Sequence, residues 1–287
     1  MDSREVIARH EASGRRFTAG GVGSFVLDAG AGEPVVCLHG VPASSFLYRK
    51  LVRELAARGL RGLAFDLPGL GLAERPSDFD YTWSGLGRFA LAAVDALALK
   101  RFHLVVHDIG GPIGFELASV IPHRVASLTI LNTLVEVDSF RRVWSMAPFA
   151  LRGVGVAYLR CLNKPMSRAL MRLQGVADTS AVTSAELDAY VDLLKRGDGG
   201  AAFLKIMRSL ELTRAKRDLY VGTLGRGAFP IQVIWGEKDP ALGIATLGET
   251  ARRVAGVPEI IRLPGKHFLQ EDQAPALADH IVRFVAV

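Results

Sequence analysis

Along the first 133 residues, short apolar runs alternate with segments whose apolar positions recur every three or four residues. Ser24-Phe25-Val26-Leu27-Asp28 reads as a strand closed by Ala29-Gly30-Ala31-Gly32. Pro34-Val35-Val36-Cys37-Leu38 is continuously apolar, as a strand covered on both faces should be, and gives way to His39-Gly40-Val41-Pro42. Ser44 or Ser45 is placed to cap a helix that carries Phe46, Leu47, Leu51, Val52 and Leu55 at helical spacing and stops near Gly59. Gly62-Leu63-Ala64-Phe65-Asp66 predicts another strand, leaving into the turn formers Asp66-Leu67-Pro68-Gly69-Leu70-Gly71. A helix from Thr82 to Leu99, a strand ending near His107 and a strand from Ser127 to Asn132 complete this part. The alternation predicts an α/β fold, a mainly parallel twisted sheet with helices on both faces. Ligands of such sheets bind beyond the carboxyl ends of the strands, where His39, Asp66, Asp108 and Asn132 all fall.

After Thr133 the rhythm changes. Interrupted helical patterns run from Phe140 to Leu151, Val156 to Cys161, Met166 to Gln174, Ala185 to Arg196 and Ala201 to Leu210, with glycine or proline between them. Strand patterns return at Ile231 to Trp235 and Glu259 to Leu263. The pattern predicts a core formed by residues 1–133 and 228–287, with a helical cap, residues 134–227, inserted over the strand ends.

One stretch joins a strand to a helix through a sharp turn: Val105-Val106-His107-Asp108-Ile109-Gly110-Gly111-Pro112-Ile113-Gly114, continuing through Phe115, Leu117 and Val120. Its geometry is similar to a nucleophile elbow, with aspartate in place of serine. Gly110 and Gly111 permit close backbone approach, and Pro112 suits the first helical turn, where a missing N–H costs nothing. Unpaired helix N–H groups favour a charged carboxylate there. Taken alone, the decapeptide fits a simple aspartate helix cap equally well.

Composition narrows the class. At 287 residues, 49% apolar and 22% charged, the chain has the make-up of a globular enzyme with a substantial core. Two cysteines, Cys37 and Cys161, are too few for a disulfide framework, so a reducing cytoplasm is expected. Residues 1–16 are charged and lack the apolar core of a signal peptide, and no run approaches the length of a membrane span. The formal charge of +6 invites a nucleic-acid reading. Residues 134–229 hold 15 Lys and Arg against 9 Asp and Glu, but the basic residues are interspersed with acids, which favours a solvated helical surface over a phosphate-binding patch. Neither nucleic acid nor membrane is therefore expected as a partner. The glycines at 20–23 and 153–155 lack the strand-to-helix context of a dinucleotide site. No paired histidines or CxxC suggest a metal, and no GxSxG suggests a serine esterase. Oligomeric state stays open.

Two further strand ends carry chemistry. Asp239 follows the strand in Val233-Ile234-Trp235-Gly236-Glu237-Lys238-Asp239-Pro240, and His267 follows the last one in Arg262-Leu263-Pro264-Gly265-Lys266-His267-Phe268. The chain order Asp108, Asp239, His267 is nucleophile, acid, histidine, the order of an α/β-hydrolase triad. The chain here resembles the haloalkane dehalogenases and the epoxide hydrolases, α/β-hydrolases with an aspartate nucleophile. The resemblance runs through VVCLHGVPASSFLYRKL (35–51), DLPGLGLAERP (66–76), HDIGGPIG (107–114), ILNT (130–133), VIWGEKDPALG (233–243) and RLPGKHFLQED (262–272), about two-thirds of the chain in all.

The resemblance implies that Asp108 displaces a leaving group from an sp3 carbon and that water activated by His267 hydrolyses the resulting ester, with Asp239 orienting the imidazole. Backbone N–H groups of Val41 and Ile109 are the implied oxyanion hole. Glu136 is a rival for the acid, because some dehalogenases take it from after the strand preceding the cap. Serine would not serve, since attack on an alkyl carbon would leave an ether. No cofactor is implied, only a small apolar organic substrate and water.

The leaving group divides the branch. Dehalogenases usually hold the halide with a tryptophan after the nucleophile and a second donor in the HG-x-P loop or the cap; here Ile109 and Val41 stand at the first two positions, and Trp144 resembles the cap tryptophan. Epoxide hydrolases use cap tyrosines as acids. Of Tyr158, Tyr190 and Tyr220, the best placed is Tyr158, and Ile206-Met207 stands where many carry tyrosine. Trp144, Tyr158 and Asn132 are thus the candidates for substrate or leaving-group contact, and Trp144, Phe149, Leu170 and Met207 predict an apolar pocket. Halide release ranks ahead of epoxide opening. A catalytically inactive binding protein of this fold is a further alternative that the three intact residues disfavour.

Overall fold

The computed structural model describes residues 2–286. Eight strands form one sheet: β1 (Gly14–Ala19), β2 (Val22–Ala29), β3 (Pro34–Leu38), β4 (Arg61–Phe65), β5 (Phe102–Asp108), β6 (Val125–Thr133), β7 (Ile231–Gly236) and β8 (Ile261–Leu263). Their spatial order is β1-β2-β4-β3-β5-β6-β7-β8. β1 and β2 pair antiparallel, as do β2 and β4, and the remaining pairs are parallel. The central strands β3 and β5 are almost wholly buried, which is why their sequences are continuously apolar. β1 is invisible to an apolar pattern because it is an exposed edge strand of sequence GRRFTA. It turns into β2 through Gly20 and Gly21, both at positive φ (54° and 78°), so these glycines serve a two-residue hairpin.

The helices of the first part are α1 (Ser3–Ala12), α2 (Arg49–Ala57), α3 (Trp83–Ala96) and α4 (Gly110–Val120). α1 starts in a capping box between Asp2 and Glu5, while Ser44 and Thr82 cap the segments leading into α2 and α3. α4 begins hard against the sheet. A β-carbon on Gly110 would lie 2.4 Å from the Leu38 carbonyl oxygen, and one on Gly111 would lie 1.9 Å from Thr133 Oγ1.

Between β6 and β7 only helices occur: α5 (Val154–Cys161), α6 (Lys164–Leu170), α7 (Ser184–Lys195), α8 (Ala201–Arg208) and α9 (Arg214–Gly225). α10 (Glu249–Ala255), α11 (Leu269–Asp272) and α12 (Ala274–Val285) complete the chain. The expected helix from Phe140 to Leu151 is not formed. A single 3-10 turn, Ala147–Ala150, occurs there, and another, Val137–Ser139, precedes the span. Pro148 lacks an N–H and disfavours helix in the residue before it. Phe140, Val143, Met146 and Phe149, whose three-residue spacing mimics a helix, instead all face one cavity. α6 continues into a π-helical turn at Met171–Gly175, a form that frees carbonyls from the regular ladder. Arg49 of α2 bonds Glu271 of α11 and Glu186 of α7, which ties the helical segment to the sheet-bearing part.

Among the described residues, no helix is long and apolar enough to cross a membrane. Cys37 and Cys161 are both free, the first buried and the second exposed.

Candidate active site

Asp108 ends β5 with φ of 55°, a left-handed conformation that costs energy for any residue with a side chain. Its carbonyl accepts the Thr133 hydroxyl and its Oδ1 accepts the Val41 N–H at 2.8 Å. Gly40 makes that approach possible, since a β-carbon there would stand 2.1 Å from Oδ1. Burial pushes the Asp108 carboxyl upward, but His267, His107 and the Ile109 N–H together bring it below the usual carboxylate range.

His267 lies in the loop after β8, with Nε2 3.5 Å from Asp108 Oδ2 and Nδ1 2.8 Å from Asp239 Oδ2. Burial disfavours its charge, yet the two carboxylates outweigh burial and raise its pKa to about 10. Asp239 is held by four donors. Its Oδ1 accepts the N–H groups of Ala241 (2.7 Å) and Leu242 (2.9 Å), and its Oδ2 accepts Asn132 Nδ2 (2.6 Å) besides His267. Its side chain is fully buried, which pushes its pKa up, and His267 with these hydrogen bonds brings it below the normal value.

The backbone around His267 is pinned from two sides. Its carbonyl accepts His107 Nε2–H at 2.8 Å, and its N–H donates to the Gln174 carbonyl at 3.3 Å; the Phe268 N–H donates to the Gly175 carbonyl at 2.8 Å. The π-helical turn supplies both of those carbonyls. Burial holds His107 neutral, with its pKa lowered to about 3. His39 Nδ1–H donates to the Gly40 carbonyl (2.9 Å) while Nε2 accepts the Leu67 N–H (3.1 Å), so it braces the loop carrying Val41. Asp66 accepts the N–H groups of Ser45 and Leu72, each at 2.6 Å.

Above Asp108 and His267 is a cavity of about 130 Å³, roofed by residues between positions 140 and 210. Phe149, Leu170 and Met207 line it, with Leu134, Phe203 and Phe268. Gln174 and Ser145 add polar groups, Ser145 Oγ donating to Gln174 Oε1 at 2.8 Å, while the amide hydrogens of Gln174 meet no acceptor among the described residues. Among the described residues, no group of three or more His, Cys, Asp or Glu side chains is arranged to hold a metal ion.

Several candidates lie elsewhere. Trp144 is 64% exposed and faces an outer groove with Leu151 and Val154, because its segment turns instead of spiralling. Tyr158 packs on Phe149 at 4.9 Å between ring centres and does not line the cavity. The Tyr190 hydroxyl donates to Glu271 and that of Tyr220 to Glu116 (3.0 Å), so neither is free. Asn132 is a support rather than a substrate contact, since it bonds Asp239 and accepts the Gly236 N–H at 3.0 Å. Glu136 pairs with Arg253 at 3.0 Å, whereas Asp239 is the carboxylate on the distal nitrogen of His267. Gln174 and Arg142 carried no marker beyond their residue type, and His107, although within HDIGGPIG, was assigned no role; only the turn geometry of 140–175 brings the first two to the cavity.

A family model described as alpha/beta hydrolase fold matches residues 33–274. The chain is similar to a haloalkane dehalogenase of Mycobacterium marinum, with 31% identity over 260 residues, 88% of this chain and 84% of the relative. Among solved structures it is similar to Cfl2 of Burkholderia cenocepacia, with TM-score 0.82 and 24% identity over 95% of each chain. It is also similar to an epoxide hydrolase of Vigna radiata, with TM-score 0.75 and 21% identity over 95% of this chain and 97% of that one. The two structural likenesses bear on the fold.

Proposed function

The chain belongs to the α/β-hydrolase family, in the branch of the haloalkane dehalogenases and epoxide hydrolases, and on that premise we propose that it hydrolyses a small organic substrate at an sp3 carbon through a covalent ester of Asp108. What carries this reading is one juxtaposition: a strained aspartate whose Oδ1 is already bonded to the Val41 N–H, while its Oδ2 stands beside an imidazole backed by a buried carboxylate.

Oδ2 is the attacking oxygen. It bonds to the substrate carbon as the carbon–halogen bond breaks, and the electron pair leaves with the halide. The ester carbonyl is then Oδ1, which accepts the Val41 N–H, with the Ile109 N–H as the second donor of the hole. Water attacks Cγ, His267 takes a proton from it at Nε2, and negative charge collects on Oδ1, where each backbone donor contributes about 3 kcal/mol. Collapse breaks the Cγ–Oδ2 to alkyl linkage of the tetrahedral intermediate and releases an alcohol that takes up the His267 proton. The balance is alkyl halide plus water to alcohol, halide and a proton.

Forming the ester also prepares the second step. Asp108 is one of the groups raising the His267 pKa, and alkylation removes its charge. The imidazole then gives up its proton and becomes the base that water needs, with Asp239 still fixing its orientation.

Halide release ranks ahead of epoxide opening because the cavity lining among the described residues contains no tyrosine, while the amide hydrogens of Gln174 suit a departing halide but cannot protonate an alkoxide. The cap role of residues 134–227 and a substrate with an apolar body belong to the same proposal. The test is a panel of short bromoalkanes and terminal epoxides, scored by bromide and by diol. Bromide release is expected, and Gln174→Leu should lower kcat/KM for the bromoalkanes roughly ten- to a hundredfold. Diol formation without bromide release, or a Gln174→Leu enzyme as fast as the parent, would reverse the ranking.

A further inference from the structure

Arg142 is the unusual member of the cavity lining. With Asp108 and His267, it is one of only three charged or titratable side chains among the described residues around an otherwise mostly apolar space. It makes no ion pair or hydrogen bond to another described residue, and its Nε is buried without an acceptor. Of the other cations of the helical segment, Arg141, Arg152, Arg160, Arg196 and Arg226 are exposed to solvent, and several of the rest are paired. Arg168 grips Asp188 through two bonds of 2.5 and 2.6 Å, Arg217 reaches Asp138 and Asp218, and Lys195 donates to the Leu162 carbonyl. Asp138, the one acid of the outer groove, is thereby engaged by Arg217.

Arg142 also marks a boundary. Only it and Phe140 line both the inner cavity and the outer groove, so this residue stands in the wall between the space above Asp108 and the surface. A partly desolvated guanidinium without a counter-charge is unfavourable, and its planar fork of donors matches a carboxylate.

We propose that Arg142 binds the carboxylate of the substrate, which is a short halogenated carboxylic acid lying with its halogen-bearing carbon at Asp108 and its anionic end at the outer wall. The inference rests on the Asp108 reading for the identity of the reacting end. The cavity of about 130 Å³ is close in size to one that holds benzene, which limits the chain between the two ends to a few carbons. Arg142 also offsets the repulsion that Asp108 exerts on an anionic substrate.

The binding half of the proposal is tested without turnover. Unfolding midpoints of the full chain are measured with pentanoate, pentanamide and sodium bromide, for the parent protein, Arg142→Gln and Arg142→Lys. Pentanoate should raise the midpoint while pentanamide and bromide do not, Arg142→Gln should weaken the pentanoate effect by about tenfold or more in apparent affinity, and Arg142→Lys should keep part of it. Equal stabilisation by acid and amide, stabilisation by bromide through Arg142, or full retention by Arg142→Gln overturns the proposal. The kinetic half compares 5-bromopentanoate with 5-bromopentanamide. The kcat/KM ratio of acid to amide should exceed about ten and collapse in Arg142→Gln through KM; a ratio that Arg142→Gln leaves unaltered overturns it. Pentanoate bound through Arg142 with no turnover of either bromide would leave the anion site standing and remove the hydrolytic reading.

Discussion

His267 shares its two ring nitrogens between two carboxylates, Asp239 at 2.8 Å and Asp108 at 3.5 Å, and this decides how the folded protein responds to alkali. Because its folded pKa is raised from the ordinary imidazole value of 6.5 to about 10, the stability it contributes is complete below about pH 6.5 and disappears as pH climbs through 10. The unfolding midpoint of the parent protein should therefore fall between pH 7 and pH 10 more steeply than that of His267→Gln, whose side chain does not titrate. Parallel curves from urea titrations would contradict the geometry. At this scale the sequence was legible where residue type and strand-end position coincide, as at Asp108, Asp239 and His267. It was silent for Gln174 and Arg142, which reach the cavity because of how a turn-rich segment is wound. Trp144 matched a family position by type, yet the same winding turns it toward solvent.

Among the elements, the junction of β5 and α4 carries the most constraint. Its glycines are there because the helix start is pressed against neighbouring strands. Alanine is the better helix former by about 1 kcal/mol, but a β-carbon on Gly111 would collide with Thr133 Oγ1, whose hydroxyl holds the Asp108 carbonyl. Gly111→Ala should destabilise the protein by about 2 kcal/mol in urea unfolding, the range of an overpacked core. An unchanged or raised midpoint would show that the junction yields. The apolar strands β3 to β7 were readable because burial on both faces leaves a continuous apolar signature. β1, α1 and α9 were not, since exposed, charged elements carry little periodicity, and the span from Phe140 to Leu151 misled because a cavity wall can repeat every three residues as a helix does.

In the whole molecule, the sheet-bearing part supplies the strained aspartate and its histidine, and the helical segment supplies the lining above them. The buried pair of Arg49 and Glu271, with the half-buried Glu186, joins the two. The central claim is that Asp108 becomes covalently attached to the substrate carbon. It is tested most directly by incubating His267→Gln with short bromoalkanes and bromoalkanoates and weighing the proteolytic peptide that contains Asp108, with the double variant His267→Gln, Asp108→Ala as the control. Without its base the enzyme should stall as the ester, so the peptide should gain the mass of the alkyl group on Asp108 and the double variant should gain nothing. A folded His267→Gln protein that releases bromide yet leaves this peptide at its original mass would contradict the covalent mechanism.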